Sequence, residues 1–236
     1  MHLRPYPSES IELQVRDLGL ISYAEALALQ SELVQRRRDC ALPDQLLLLE
    51  HPHVITMGTG SRPEHVLANA AERERLGIDL LEVGRGGDVT YHGPGQLVGY
   101  PILDLKPDRK DVHRYLRDLE GVIIAALTSL GVSGDRVKAK TGVWVDGRKI
   151  AAVGVRVSSG WITSHGFALN VSTDLSYFRT IVPCGLEDVR ITSVSSELGQ
   201  PVAVAEVLPA VTNAFAEVFG RSVVGKPTNA SEIALS

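Results

Sequence analysis

Apolar residues recur along the chain with two periods, and these periods predict a series of strands and helices. Alternation of apolar and polar residues, or a short continuous apolar run, is typical of a β-strand. Such patterns predict strands over residues 11–18, 46–49, 54–57, 78–83, 97–105 and 161–171.

Helical spacing and capping residues predict the helices. Ser22 and Glu25 form a capping-box pattern, which opens a helix to about residue 39. Asp111 is a suitable N-cap for a long helix whose apolar residues recur at helical spacing. Further helices are expected over residues 64–76, near Ser195 and over residues 205–219.

The C-terminal part of the sequence allows two predictions, one about Pro209 in the last helix and one about the tail. Pro209 fits the last helix only if it lies in the first turn, where a missing N–H has no partner to lose. Residues 221–236 are small and polar, which predicts a flexible tail. Because no repeat or linker interrupts the rest, we expect one domain over residues 1–220.

The clearest local pattern is Asp146-Gly147 between the β-rich runs 143–145 and 148–157. Asp-Gly at this position specifies a type I′ hairpin, since both turn residues tolerate positive φ. Side chains alternate along the second strand, so Lys149 shares a face with Ala151 and Val153. Such a lysine is either a strand-end residue that reaches solvent or a desolvated amine.

Composition restricts the class of protein. The chain has 236 residues, of which 44% are hydrophobic and 22% charged, and a net charge of −4. This charge gives no general attraction to nucleic acid or to an anionic membrane. No apolar run approaches the roughly 20 residues that cross a bilayer, and the first ten residues lack a signal-peptide core. We therefore expect a cytoplasmic protein with no membrane and no nucleic-acid partner.

A glycine-rich stretch, residues 85–96, separates two apolar runs. Glycine allows the backbone to approach a ligand closely, so a stretch of this composition is typical of the lining of a site. It also occurs in plain turns. Within it, His92 fits a role in a site and a loop-bracing hydrogen bond equally well.

Cysteine chemistry points to a second region. Cys184 lies between Pro183 and Gly185 in an irregular stretch, whereas Cys40 follows an arginine-rich helix end and is expected to be a bystander. A thiol is mostly protonated at neutral pH, and a nearby cation favours the reactive thiolate. Lys149, His92 and His165 are the candidate partners, and spacing does not choose among them.

Two other histidine patterns have simpler interpretations. His165 shares a predicted strand face with apolar residues, which favours a hydrogen-bonded core histidine. His51 and His53 flank Pro52 and could bind a metal, but no acidic or cysteine pair at ligand spacing accompanies them. We therefore expect no metal site.

Four separated motifs together resemble the lipoyl(octanoyl) transferase family. They are Arg85-Gly-Gly-x-x-Thr-Tyr-His-x-x-Gly-Gln-x-Val-x-Tyr100, Lys149-Ile-Ala-Ala-Val-Gly154, Ser164-His-Gly-Phe-Ala-Leu-Asn170 and Pro183-Cys-Gly185. The resemblance runs from about residue 46 to residue 199, and the motifs match at every position that the family uses for catalysis.

The resemblance implies an α/β fold, a single domain with a mixed β-sheet and packed helices, similar to biotin and lipoate protein ligase catalytic domains. It implies transfer of an octanoyl group from octanoyl-acyl carrier protein to a specific lysine of an acceptor. The acceptors would be lipoyl domains of 2-oxoacid dehydrogenase complexes and the glycine cleavage H protein.

The resemblance also implies residue roles. Cys184 would be the nucleophile that forms an acyl-thioester, and Lys149 would lower its pKa and carry the proton. The implied substrate-binding residues are Arg85, Gly86, Gly87, Asp88, Val89, Thr90, Tyr91, His92, Ala152, Val153, Gly154, His165, Gly166, Phe167 and Ala168.

This chemistry needs no cofactor, since transfer between thioesters is nearly neutral and transfer from thioester to amide is downhill. Two alternatives stay open from the sequence. One is an ATP-dependent lipoate or biotin-type protein ligase on the same fold, which needs no cysteine. The other is a non-catalytic acyl-binding module that keeps the pocket.

Overall fold

The computed structural model describes residues 11–182, 189–225 and 228–229. The strands are β1 (Ile11–Leu20), β2 (Asp44–Glu50), β3 (Val54–Met57), β4 (Asp79–Glu82), β5 (Val89–His92), β6 (Gln96–Ile102), β7 (Val143–Val145), β8 (Arg148–Val157), β9 (Thr163–Asn170), β10 (Arg221–Val223) and β11 (Thr228–Asn229). The α-helices are α1 (Tyr23–Arg38), α2 (Ala70–Leu76), α3 (Val112–Ser129), α4 (Val194–Leu198) and α5 (Val204–Phe219).

The strands form a large mixed sheet and a small one. The large sheet has the order β10-β1-β2-β6-β9-β8-β7, with β11 also paired to β1. β1 is parallel to β2 and β10, whereas the β2-β6-β9-β8-β7 pairs are antiparallel. The small sheet has the order β4-β3-β5. The α/β class and mixed sheet expected from the resemblance are confirmed.

Helices cover both faces of the large sheet. α3 and α5 pack on one face, where Leu119, Ile123, Val211 and Phe215 are fully buried. α1 packs on the other face through Ala26 and Leu33. None of the described helices is long and apolar enough to cross a membrane.

Local signals placed most elements well. Ser22 and Glu25 form the expected capping box, and the side chain of Asp111 accepts a hydrogen bond from the backbone of Arg114. Asp146 and Gly147 have φ angles of 48° and 74°, as a type I′ turn requires.

Two sequence predictions in the middle of the chain are wrong in extent. The helix expected over 64–76 is only α2, because residues 66–68 bond to residues 180–181 instead. The glycine-rich stretch is not all loop, since it contains β5, which pairs with β3. Valine, threonine and tyrosine fit a pleated surface, and a partner strand is available.

Two C-terminal expectations also differ from the structure. Pro209 lies in the second turn of α5 rather than the first, and the helix continues through it. Residues 221–223, assigned to a flexible tail, form β10 instead. The Arg221 side chain is 1% exposed and pairs with Asp44, so this part of the chain is held by the domain.

Candidate active site

A pocket between the two sheets collects the residues of the sequence motifs. The empty space within it, including the part that is open to solvent, is about 480 Å³, and we call it the central pocket. It is lined by Tyr23, Arg85, Gly86, Gly87, Asp88, Val89, Thr90, His92, Tyr100, Ala152, Val153, Gly154, His165, Gly166, Phe167 and Ala168. Every candidate substrate-binding residue except Tyr91 is in this set. Tyr91 is fully buried in the small-sheet core, and its hydroxyl bonds to His53.

Small residues on paired strands make room for the pocket. Ala152 lies opposite Ala168 and Gly154 lies opposite Gly166 in the β8–β9 register. A methyl group on Gly166 would lie 2.2 Å from the carbonyl oxygen of Gly99. Because backbone lies so close, glycine at this position is required by packing as well as by the space it leaves.

The Arg85 side chain braces the glycine-rich segment from within. Its Nη2 donates to the Thr56 carbonyl at 2.7 Å, and its Nη1 donates to the Asp88 carbonyl at 2.8 Å. The backbone N–H of Gly86 donates to the Val155 carbonyl on β8 at 2.9 Å. These bonds fix residues 85–88 against both sheets, so one wall of the pocket is built before any ligand arrives.

One end of the central pocket is closed by a polar network that sequence reasoning missed. His51 Nδ1 donates to the Ile21 carbonyl at 2.8 Å, so its Nε2 accepts from the Tyr100 hydroxyl, also at 2.8 Å. The Tyr23 hydroxyl lies 3.4 Å from His165 Nδ1. Tyr100 is the last fixed position of the first motif, and His51 drew attention only as a candidate metal ligand. Nothing local marks Tyr23 as a site residue.

Burial keeps the histidines of this region neutral. It lowers the pKa of His51 and of His165 to about 4 each, and that of His92 to about 3. His92 Nδ1 bonds to Gln96 Oε1 at 2.7 Å, and Gln96 Nε2 donates to Asn170 at 2.9 Å. His92 therefore lines the pocket and, through Gln96, braces β5 against β6 and β9.

The structure fits hydrogen bonding better than metal binding at these histidines. His51 bonds to Tyr100 and His53 bonds to Tyr91. Over residues 11–182 and 189–225, no group of three histidine, cysteine, aspartate or glutamate side chains could hold a metal ion.

Lys149 lies in a small cavity beside the central pocket. This cavity is shared with Thr90, Ala152 and Ala168, which also line the central pocket. The Lys149 residue is only 6% exposed, and its Nζ lies 5.6 Å from the centre of the Trp144 ring. Of the two interpretations from the sequence, the desolvated amine matches this placement.

Cys184 lies outside the described residues. Cys40 is exposed and has a φ of 55° in the turn after α1. The described residues that flank Cys184 are bonded to the site at both ends. Val182 N–H donates to the His65 carbonyl at 2.8 Å, and Lys149 N–H donates to the Arg190 carbonyl at 2.7 Å.

The chain is similar to known proteins over most of its length. Residues 22–216 match the family model of the lipoyl protein ligase A/B catalytic domain. An octanoyltransferase from Rubrobacter xylanophilus is 54% identical over 210 residues, which cover 88% of this chain and 94% of that protein.

Solved structures show the same fold. A bipartite lipoate protein ligase from Thermoplasma acidophilum superposes with a TM-score of 0.73 at 18% identity, covering 95% of this chain and 91% of that chain. A biotin protein ligase from Aquifex aeolicus, solved with biotin and ATP, gives a TM-score of 0.51 at 15% identity, covering 88% and 70%.

Proposed function

Since this chain belongs to the lipoyl protein ligase A/B catalytic domain family, we propose that it is an octanoyltransferase with a cysteine thioester intermediate. The observation that carries the proposal is the convergence of three sequence motifs on one pocket beside a buried lysine. The name of the Rubrobacter xylanophilus relative, at 54% identity, supports the octanoyl group as the substrate.

The first half-reaction would load the enzyme from octanoyl-acyl carrier protein. The Cys184 thiolate attacks the thioester carbonyl, the bond to the carrier sulfur breaks, and the leaving thiolate takes a proton from Lys149. The octanoyl chain occupies the central pocket, where Ala152, Gly154 and Ala168 leave space. Each buried methylene contributes about 0.8 kcal/mol, so pocket depth can select chain length.

The second half-reaction would pass the octanoyl group to a lysine of a lipoyl domain or of a glycine cleavage H protein. The amine attacks the enzyme thioester, Cys184 leaves as a thiolate, and Lys149 accepts the proton that the amine loses. One nucleophile serves both steps, which is the usual covalent strategy. Loading and transfer need no ATP, because the donor thioester is already activated.

Chain connectivity supports the Cys184–Lys149 pair. Val182 bonds to His65 beside the pocket, and two further peptide units reach at most about 7 Å. On the other side, Arg190 and Thr192 bond to the backbone of Lys149 itself. The described neighbours of Cys184 are thus bonded to His65 on one side and to Lys149 on the other, and this connectivity supports the proposed pair.

An intact-mass experiment tests the proposal. The Cys40→Ser protein is incubated with octanoyl-acyl carrier protein and no acceptor, and we expect one added octanoyl group. The adduct disappears in the Cys40→Ser/Cys184→Ser protein. In the same background, Lys149→Met shifts the pH midpoint of Cys184 alkylation upward, since the cation that favours the thiolate is gone.

The same assay separates the alternatives. An ATP-dependent ligase would need ATP and magnesium for transfer and would keep activity without Cys184. A non-catalytic module would bind octanoate and form no adduct. The ligase fold does not decide between them, because a lipoate protein ligase and this chain share it.

A further inference from the structure

The segment before Cys184 is attached to a short stretch that precedes α2. Val66 and Ile181 form an antiparallel bridge, and Leu67 N–H donates to the Thr180 carbonyl at 2.9 Å. Val182 N–H donates to the His65 carbonyl at 2.8 Å. The position of residues 180–182 is therefore set by the position of residues 65–68.

The His65 side chain continues this connection to the wall of the central pocket. Its Nδ1 lies 2.6 Å from Asp88 Oδ2, and the two side chains are 16% and 15% exposed. Nδ1–H donates to the carboxylate in this geometry. A charge-assisted bond that is largely shielded from solvent holds its geometry better than an exposed one.

Asp88 is in turn fixed from several sides. Its Oδ1 accepts from the Val89 N–H at 2.7 Å, and its carbonyl accepts from Arg85 at 2.8 Å. Asp88 lines both the central pocket and the open groove beside Lys149. A displacement of the carboxylate would therefore disturb the pocket wall or the attached segment.

We infer that the His65–Asp88 pair is a clasp that positions the segment preceding Cys184 against the acyl pocket. This inference rests on the proposed function, in which the sulfur must meet an acyl carbon held in the central pocket. His65 and Asp88 are positioning residues in this scheme: they act through the backbone at Val182 and touch no reacting atom. Misplacement of a reacting group by about 1 Å can cost on the order of 100-fold in rate.

The test is a double-mutant cycle on acyl-enzyme formation. His65→Ala, Asp88→Ala and the double variant are made in the Cys40→Ser background, and acylation by octanoyl-acyl carrier protein is followed by intact mass. We expect each single variant to acylate between about 10-fold and 100-fold more slowly at saturating donor. In His65→Ala, which does not alter a pocket-lining residue, we expect little change in the donor concentration at half-maximal rate. The double variant is expected to be no slower than the slower single variant.

Two further measurements separate positioning from a general structural effect. His65→Asn keeps an N–H donor near the Nδ1 position and Asp88→Asn keeps an acceptor, so each is expected to recover most of the rate. Alkylation of Cys184 by iodoacetamide should change less than threefold in all variants, because that reaction does not use the acyl pocket. His113→Ala and Asp79→Ala, at exposed sites, serve as matched controls.

Independent single effects that add in the double variant would overturn the clasp, as would wild-type acylation rates in both alanine variants. If His65→Ala fails to fold, the acylation rates of His65→Asn, Asp88→Ala and Asp88→Asn still test the inference. A wild-type protein that forms no acyl-enzyme would instead defeat the proposed function, so the two failures are distinguishable.

Discussion

At the scale of single residues, the site is built from polar groups held neutral by burial. His51, His92 and His165 each have a lowered pKa, for which desolvation is the largest cause. The repulsion between His51 and His92 lowers the pKa of His92 further. Neutral rings can close the end of an apolar pocket, whereas three cations in this place would repel each other.

The histidines predict an acid-sensitive fold. Their folded pKa values of about 3 to 4 lie below the ordinary value near 6.5, so the unfolded chain binds more protons below that pH. Stability is expected to be fully present above about pH 6.5 and to be lost as pH falls toward 4. Each histidine contributes up to about 1.4 kcal/mol per pH unit in this window.

Urea unfolding between pH 7.5 and pH 4.5 measures this loss. His92→Asn keeps a donor toward Gln96 but cannot be protonated, so its stability should fall less steeply with pH than that of the wild type. His113→Asn, on the exposed side of α3, should keep the wild-type slope. An unchanged slope in His92→Asn would contradict the assignment.

At the scale of elements, the pocket depends on how closely β6, β8 and β9 approach one another. Gly166 has no room for a methyl group, since the Gly99 carbonyl and Pro101 Cδ lie 2.2 and 2.6 Å from its position. Backbone and a proline ring cannot move aside without shifting the strands. Glycine is therefore required at this position by the packing of the strands.

The same substitution at two glycines tests this argument. Gly166→Ala is expected to destabilise the protein by about 1–3 kcal/mol through overpacking. Gly121→Ala, in the middle of α3, meets side-chain atoms alone, Arg136 Nη2 at 3.3 Å and Val218 Cγ1 at 3.9 Å, and should be neutral or stabilising by up to about 1 kcal/mol. Denaturant midpoints give both values, and equal effects at the two sites would refute the packing explanation.

At the scale of the whole molecule, an ion cluster around the buried Asp44 joins segments that are far apart in the chain. Asp44 is fully buried and accepts from Arg37 at 2.8 Å and from Arg221 at 2.9 Å. Arg221 also pairs with Asp108 at 2.8 Å. The cluster links α1, β2 and β10, and so fastens the last part of the domain to the large sheet.

Removing one partner of this cluster should be costly. Arg221→Met leaves Oδ2 of the fully buried Asp44 without its arginine donor, and we expect a loss of about 3–5 kcal/mol in the free energy of unfolding. Arg36→Met breaks the exposed pair with Glu32, whose side chains are 50% and 59% exposed, and should cost no more than about 1 kcal/mol. Urea titration compares them, and a small loss in Arg221→Met would show that β10 is not held by the cluster.

The sequence by itself determined the local elements and predicted most of the residues that line the central pocket. Capping residues, the Asp-Gly turn and apolar periodicity are short-range signals, and they placed α1, α3 and the β7–β8 hairpin because the interactions that form them are local. The motifs identified nearly the whole lining of the central pocket, since a strand pair carries its small residues together.

Only the tertiary structure decided how distant segments meet. It brought Tyr23 to His165 across 142 positions, turned Tyr91 into the small-sheet core, and paired residues 66–68 with residues 180–181 in place of the expected helix. It also joined His65 to Asp88. These contacts depend on the order of the strands in the sheets. They also depend on which distant segment forms hydrogen bonds with a given stretch of backbone. The local pattern of residues specifies neither of these.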